Sequence, residues 1–310
     1  MQTGTDGAPP VGVARELGGG VRAILAPNPS PMTLWGTNTY LLGSRRLAVI
    51  DPGPDDPGHL AAILGALGPG QSISHIFVTH AHLDHSPLAA RLAEITGAPV
   101  LAYGDSSAGR SEVMTRLAET GQIGGGEGVD AGFAPDLVLY DEETVSGDGW
   151  QITAHWTPGH FGNHMSFQSG PDVFSGDLVM DWASTLISPP DGDLTQFRAS
   201  CARLGRMQAA RLLPGHGAPI TEPAARISWL LAHRDAREAA ILAALADGPA
   251  RPSALAARIY TDTPPALLPA AARNVLAHLV DMMQKSRVRP LDQLGHDTRF
   301  ALAAEPETAP

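Results

Sequence analysis

The sequence predicts an α/β fold followed by a small, mostly helical domain. Short apolar runs typical of strands alternate with helix-like runs through residue 221, and the pattern beyond that point is largely helical. The length of 310 residues suffices for one large and one small domain. We therefore divide the chain into a flexible lead at 1–12, a large α/β domain at 13–221 and a helical domain at 222–310.

The large domain is predicted to contain many short strands with helices between some of them. A strand at 21–25 precedes a hairpin of 37–42 and 47–51, and apolar spacing predicts a helix over 58–67. Ser86 is expected to cap a helix that runs through Ile95. Further strands are expected at 99–103, 136–140, 151–156, 165–168, 173–174 and 211–213, with a helix at 193–206. This pattern indicates two sheets with helices outside them.

The last 89 residues are predicted to form three helices and a two-stranded ribbon. The helices are expected at 226–245, 253–260 and 264–284, with Ser253 as an N-cap, and the strands at 288–289 and 299–302. Three helices with such a ribbon are typical of a winged-helix module.

Composition excludes several classes of protein. The net charge is −11, and all of it comes from residues 1–221, which include 11 basic and 22 acidic residues. Residues 222–310 include 10 basic and 10 acidic residues. An acidic surface argues against broad nonspecific nucleic-acid binding. Cys201 is the single cysteine, which excludes an intrachain disulfide, and its helix-like surroundings favour a packed thiol. With no signal peptide or membrane-spanning run, we expect a cytoplasmic protein without membrane partners.

One stretch concentrates metal-binding residue types. His80, His82, Asp84 and His85 follow the apolar run 76–78, which reads as a buried strand. Residues two apart in an extended backbone point the same way, so His80 and His82 can hold one ion while Asp84 and His85 face another. The sequence therefore predicts two neighbouring metal sites, suited to zinc, with iron or manganese open.

Three later residues are candidates to complete these sites. His160, Asp177 and His216 each follow a short apolar run and a glycine-containing turn. Singly each could be an ordinary loop residue, but together they match the ligand types already present.

These seven residues resemble the ligand pattern of the metallo-β-lactamase superfamily. The resemblance implies an αββα sandwich with a catalytic site at one edge, between the sheets. By it His80, His82 and His160 hold the first of two zinc ions, Asp84, His85 and His216 hold the second, and Asp177 bridges both. Asp84 and Asp177 are then the catalytic carboxylates.

Such a centre predicts a hydrolase. Two ions about 3.5–4 Å apart can bring the pKa of a shared water to about 7, which supplies a hydroxide for attack on an ester-type or phosphodiester substrate. β-Lactamases of the superfamily typically have a cysteine where this chain has Asp177, so antibiotic hydrolysis is not expected.

The whole chain resembles the β-lactamase-like protein 2 group, through its winged-helix-like tail and the stretches 36–41 and 157–160. That group includes an endoribonuclease that prefers single-stranded RNA. RNA is therefore one candidate substrate, with phosphate contacts expected from Arg273, Lys285, Arg287 and Arg289. The tail could instead cover a domain face or mediate a homodimer.

Two other activities stay open at this point. A thioester or small-ester hydrolase resembling glyoxalase II suits the acidic surface, although no cluster of basic residues and tyrosine suited to glutathione is evident. A related branch binds one iron through residues equivalent to His80, His82, His160 and Asp177 and oxidises persulfides.

Other residues are expected to support or cover the site. Asp51 and His164 are candidates to support the ligands. The glycine-rich stretch 121–132 is interpreted as a surface loop or as a flap over the site.

Overall fold

Two β-sheets packed face to face form the centre of the large domain in the computed structural model, which describes residues 7–303. The first sheet has seven strands in sequential order: β1 Arg15–Gly18, β2 Val21–Leu25, β3 Asn38–Leu42, β4 Arg46–Ile50, β5 Ser72–Phe77, β6 Val100–Ala102 and β7 Leu137–Val138. The second has five, in the order β12-β11-β10-β9-β8: β8 Thr144–Ser146, β9 Gln151–Trp156, β10 Met165–Ser169, β11 Asp172–Gly176 and β12 Arg211–Pro214.

Apolar side chains from both sheets fill the space between them. Tyr40 and Phe77 from the first sheet meet Phe167 and Phe174 from the second, and all four are at most 2% exposed. Phe77 and Phe167 pack edge to face, with ring centroids 5.3 Å apart. This shared core fixes how the two sheets align, and therefore which loops meet at their edge.

Helices cover the outer faces of both sheets. Helices α1 Pro57–Gly65 and α2 Leu88–Thr96 bury Ile63 and Leu92 against the first sheet, and α4 Leu194–Arg206 buries Phe197 against the second. A further helix, α3 Glu112–Thr120, packs against the C-terminal domain. The predicted αββα sandwich is confirmed, with Cys201 as a fully buried thiol in α4.

The C-terminal part contains the three predicted helices and the ribbon. They are α5 Pro223–Ala246, α6 Pro252–Ile259, α7 Leu268–Gln284, and the antiparallel pair β13 Val288–Pro290 and β14 Phe300–Leu302. Ile227, Leu230 and Ala277 of this part share a core cluster with α4. The C-terminal helices therefore pack against α4, which covers the second sheet, and are not a detached module.

Several local predictions need correction. Residues 1–6 of the predicted lead lie outside the described residues, but its end is ordered, because Gly12 N donates to Leu25 O at 2.9 Å. Ser86 does not cap α2: its hydroxyl donates to Asp130 and to the His82 carbonyl instead. Likewise Arg251, not Ser253, is the N-cap of α6. Helix α3, strand β1 and strand β8 were not predicted.

No helix within residues 7–303 combines the length and the apolar character needed to cross a membrane.

Candidate metal centre

Loops that leave the carboxyl ends of several strands meet at one edge of the sandwich. The loop after β5 carries His80 to His85, and the turns after β9, β11 and β12 carry His160, Asp177 and His216. The structure brings all seven predicted ligands together there. Gly215 permits this convergence, because a Cβ at its position would lie 2.4 Å from Oδ1 of Asp177 and 2.6 Å from Cε1 of His85.

His80, His82 and His160 form the first group of ligands. Nδ1 of His82 lies 2.9 Å from Nε2 of His80 and 3.1 Å from Nε2 of His160. Zinc–nitrogen distances of about 2.0–2.1 Å in a tetrahedral site imply ligand nitrogens about 3.3–3.4 Å apart. The three nitrogens therefore surround a space within a few tenths of an ångström of the size that a tetrahedral ion needs.

Asp84, His85 and His216 form the second group. Nε2 of His216 lies 3.3 Å from Nε2 of His85 and 3.2 Å from Oδ2 of Asp84. Both histidines are at most 1% exposed, whereas the Asp84 side chain is 27% exposed and reaches the pocket. One imidazole pair and one carboxylate again match the ligand types of a divalent ion.

The Asp177 carboxylate lies between the two groups. Its Oδ2 is 3.7 Å from Nε2 of His160 and 3.3 Å from Nε2 of His216, one in each group. Its Oδ1 is buried with no hydrogen-bond donor, 3.5 Å from Nε2 of His85. A buried carboxylate oxygen without a donor is costly unless a cation satisfies it, so the site fits a divalent ion here.

Charge in the cluster is divided between the two groups. Burial and the neighbouring His160 together lower the pKa of His82 to about 3, and burial also lowers the pKa of His80 and of His160, so the first group is neutral and able to bind metal. Burial also opposes protonation of His216, yet Asp177 and Asp84 outweigh it and raise its pKa to about 10. The negative charges of Asp84 and Asp177 therefore stabilise positive charge beside them, either as protons on the histidines or as a bound cation.

Hydrogen bonds on the far side of each ring fix which nitrogen faces the cluster. Nδ1 of His160 donates to Leu186 O at 2.8 Å, and Nδ1 of His216 donates to Gly36 O at 3.1 Å. Nδ1 of His85 donates to Asp51 at 2.9 Å. Whenever the ring is neutral, a proton on Nδ1 leaves the lone pair of Nε2 directed into the cluster, which is the arrangement of metal-binding histidines.

Asp51 and His164 hold the positions that the sequence suggested for supporting residues. Asp51 also accepts hydrogen bonds from the backbone N–H and the hydroxyl of Thr79, at 2.7 and 2.8 Å. Nε2 of His164 accepts a hydrogen bond from the backbone N–H of Asp177 at 3.2 Å, and its Nδ1 lies 3.0 Å from Oγ1 of Thr157. Sequence reasoning missed Leu186, whose contribution is a backbone carbonyl that no residue type reveals.

A pocket of about 530 Å³ opens above the ligand cluster. Much of its wall is apolar, and the C-terminal domain builds one side of it. The apolar side chains of the large domain there include Met32, Leu83, Met180, Trp182 and Leu186, and the C-terminal domain adds Tyr260, Leu267, Ala270 and Ala271. Among residues 7–303, no lysine or arginine lines this pocket, whereas Glu127, Asp84 and Asp177 do.

The glycine-rich stretch lies against the site. Leu83 N donates to Gly128 O at 2.8 Å and Asp130 N donates to Ala81 O at 2.9 Å, so this loop pairs with the ligand-bearing loop. Glu127 and Gly128 line the mouth of the pocket. The stretch is therefore a largely exposed surface loop that also contacts the ligand-bearing loop.

Most of the basic residues expected to contact RNA have partners within the protein. Arg273 donates to Ser188 Oγ and Pro189 O, Lys285 pairs with Asp281 at 2.6 Å, and Arg287 pairs with Glu238. Arg289, which lies in β13, is exposed.

Comparison with protein families gives two matches in this chain. Residues 32–216 match the metallo-beta-lactamase superfamily, and residues 252–296 match the beta-lactamase associated winged helix domain. The first match covers more than half of the chain and contains all seven candidate ligands.

Individual relatives align with most of this chain. The chain is 31% identical to a Beta-lactamase-like protein 2 homolog from Drosophila melanogaster, over 86% of this chain and 88% of that protein. A homolog of the same name from Caenorhabditis elegans is 29% identical, over 84% and 83%.

Solved structures agree with the sequence comparisons. A metallo-beta-lactamase family protein from Thermus thermophilus superposes with a TM-score of 0.74 at 26% identity, covering 93% of this chain and all of that one. A Beta-lactamase domain protein from Burkholderia ambifaria shares the fold at 22% identity, with a TM-score of 0.78 over 96% of both chains. The chain therefore belongs to the metallo-β-lactamase superfamily of metal-dependent hydrolases and carries the winged-helix domain associated with it.

Proposed function

We propose that the protein is a binuclear zinc hydrolase that cleaves small, uncharged esters or thioesters with an apolar acyl group. The single observation that carries this proposal is the pocket above the ligands, whose wall is largely apolar and, among the described residues, includes no lysine or arginine. Small-molecule sites are typically apolar clefts of about 300–1,000 Å³ with a few polar groups at the reacting end.

Two separate groups of ligands support two ions over one. Asp84, His85 and His216 converge in addition to the first histidine group, and Asp177 lies between them. In a mononuclear iron centre of the persulfide-oxidising type, Asp84 and His216 would not bind the metal. This favours hydrolysis over oxidation.

Bound zinc would polarise the acyl oxygen and lower the pKa of a water. The chain's own residues orient the reactants: the apolar walls contact the acyl group, and the partly exposed Asp84 faces the pocket, where it can hold the proton that the attacking water loses. The water oxygen bonds to the acyl carbon, the C–S or C–O bond breaks, and the leaving group takes up a proton.

RNA is the weaker candidate substrate. A polyanion needs a cationic groove, and here the pocket carries acidic side chains while three of the four basic residues expected to contact phosphate have internal partners. Glutathione thioesters are disfavoured for a related reason. Among the described residues, no lysine or arginine lines the pocket to receive their carboxylates, and Glu127, whose nearest guanidinium is that of Arg273 at 3.8 Å, lines it instead.

The test compares three substrates on the zinc-loaded protein. We expect kcat/KM for a butanoyl thioester of the uncharged thiol N-acetylcysteamine to exceed that for the same acyl group on glutathione by at least tenfold, with no cleavage of a single-stranded RNA oligonucleotide. RNA cleavage without turnover of the uncharged thioester would overturn the proposal.

A further inference from the structure

The loop that follows the Asp177 ligand is held by side chains of the C-terminal domain. Helix α5 contributes Arg226, which donates to Met180 O and Ala183 O, each at 2.7 Å. Arg234, two turns further along α5, donates to Ser184 O and to Thr185 O. Residues 180–187 therefore depend for their conformation on a domain that supplies none of the seven ligands.

Arg234 is unusual in its surroundings. Its side chain is 1% exposed, and within the described part of the chain no carboxylate pairs with it. Burial lowers the pKa of Arg234 to about 10, which leaves the guanidinium charged at neutral pH. A buried charge without a counter-charge is costly, and here the hydrogen bonds that offset this cost all go to carbonyls of one loop and to Asn274.

Asn274 of α7 completes this contact. Its Oδ1 accepts hydrogen bonds from the backbone N–H of Ile187 at 3.0 Å and from Nη1 of Arg234 at 3.3 Å. The two side chains thus fix the loop on both sides of Leu186, the residue whose carbonyl accepts the Nδ1–H of His160.

The held loop is in a strained conformation. Thr185 has φ of +59°, a left-handed backbone that β-branched residues rarely adopt. Its hydroxyl donates to Asp177 O at 3.1 Å and to Leu178 O at 3.2 Å. Such strain persists only where surrounding contacts enforce it, and Arg234 bonds to the carbonyl of this residue.

We propose that Arg234 and Asn274 are positioning residues of the metal centre: by holding residues 184–187 they set the ring of His160, through Leu186 O, and support the backbone of Asp177, through Thr185. This inference rests on the proposed metal centre and assigns the winged-helix domain a role in building it. Loss of the groups that hydrogen-bond directly to ligand histidines typically changes metal affinity by 10- to 100-fold, and Arg234 and Asn274 hold such a group in place.

The test measures zinc affinity by competition with a chromophoric chelator, with the full chain and no substrate. Arg234→Lys shortens the side chain and loses the fork that reaches two carbonyls, and Asn274→Leu removes the acceptor for Ile187. We expect each to weaken zinc binding at least tenfold. Asn274→Asp keeps the acceptor and is expected to bind zinc within about twofold of wild type.

Arg237→Lys is the matched control, because Arg237 lies on the same helix but donates to Ile259 O and stacks on Tyr260. Circular dichroism and melting temperature report whether each variant is folded. If Arg234→Lys does not fold, the comparison of Asn274→Leu with Asn274→Asp tests the inference. Wild-type zinc affinity in Asn274→Leu, or equal losses in Asn274→Leu and Asn274→Asp, would overturn the inference.

Failure of the proposed activity is distinguishable from failure of this inference. A wild-type protein that binds two zinc ions but hydrolyses no thioester leaves the positioning role standing on the affinity data. A wild-type protein that binds no zinc overturns both.

Discussion

Oδ2 of Asp51 accepts a hydrogen bond from Nδ1 of His85, with the two atoms 2.9 Å apart and both side chains buried. The same oxygen accepts the hydroxyl proton of Thr79, whose Oγ1 lies 3.0 Å from Nδ1 of His80. One carboxylate therefore orients a histidine of each ligand group, directly in one case and through a hydroxyl in the other.

Asp51→Asn is expected to weaken metal binding by about 10- to 100-fold without unfolding the protein. The amide cannot accept from His85 and Thr79 as the carboxylate does, whereas asparagine tolerates the left-handed backbone at this position, where φ is +51°. Zinc titration and melting temperature of the metal-free protein check the two halves of this expectation. Unchanged affinity would show that Asp51 does not orient the ligands.

Asp177→Ala is expected to remove one of the two bound ions and to abolish hydrolysis, because the carboxylate lies between the ligand groups. Elemental analysis of the dialysed variant and the thioester assay provide the measurements. Asp181→Ala, at an exposed position four residues later, is the control and should keep both ions. Full activity in Asp177→Ala would contradict the bridging position.

The stability of the protein is expected to fall as the pH drops from 6.5 toward 4, in part through His59. This histidine is 1% exposed, and burial lowers its pKa to about 4 in the folded state, against 6.5 when unfolded. The stabilisation from neutral His59 is fully present above pH 6.5. Below pH 6.5 the unfolded chain binds a proton at His59 that the folded chain does not, which lowers the free energy of unfolding by about 3 kcal/mol by pH 4.

Urea unfolding at pH 7.5 and 4.5 compares wild type with His59→Gln, which keeps a polar group near Thr39 Oγ1, 2.7 Å from Nε2 of His59. The variant should show a smaller loss of unfolding free energy between the two pH values. An identical loss in both proteins would mean that His59 does not titrate in this range.

Ala270→Leu is expected to shift substrate preference toward shorter acyl groups. Ala270 lies in the pocket wall that the C-terminal domain contributes, so a larger side chain reduces the space for the acyl group. kcat/KM for an octanoyl thioester should fall at least tenfold more than for an acetyl thioester. Ala266→Leu places the same side chain at an exposed position outside the pocket and should change neither. Equal effects of Ala270→Leu on both substrates would argue against an acyl-binding wall.

The ligand cluster was predictable because histidine and aspartate are themselves the residue types that bind metal ions. His80 to His85 follow an apolar run, and His160, Asp177 and His216 follow glycine turns at strand ends, so local pattern located them. The alternation of strands and helices predicted two sheets with helices outside them, and the family resemblance of the ligand pattern implied the αββα sandwich. Strand β1 was not predicted because its side chains are only partly buried or exposed, so its sequence contains no apolar run.

The supports of the cluster could not be read in the same way. Leu186 acts through its carbonyl, and Arg234 and Asn274 lie on two different helices, 40 residues apart. An arginine in a helical pattern predicts an exposed face, and here only the packing of the C-terminal domain on the large one buries it. Likewise, the partners of Arg273 and Lys285, which limit their use for phosphate, are apparent only in the folded chain.

The most direct test of a two-ion hydrolase is the metal content of the purified, active protein by elemental mass spectrometry, measured beside its rate on the uncharged thioester. The expected result is about two zinc ions per chain, with activity lost on chelation and restored by zinc. One iron per chain, with oxygen consumption and no hydrolysis, would contradict it.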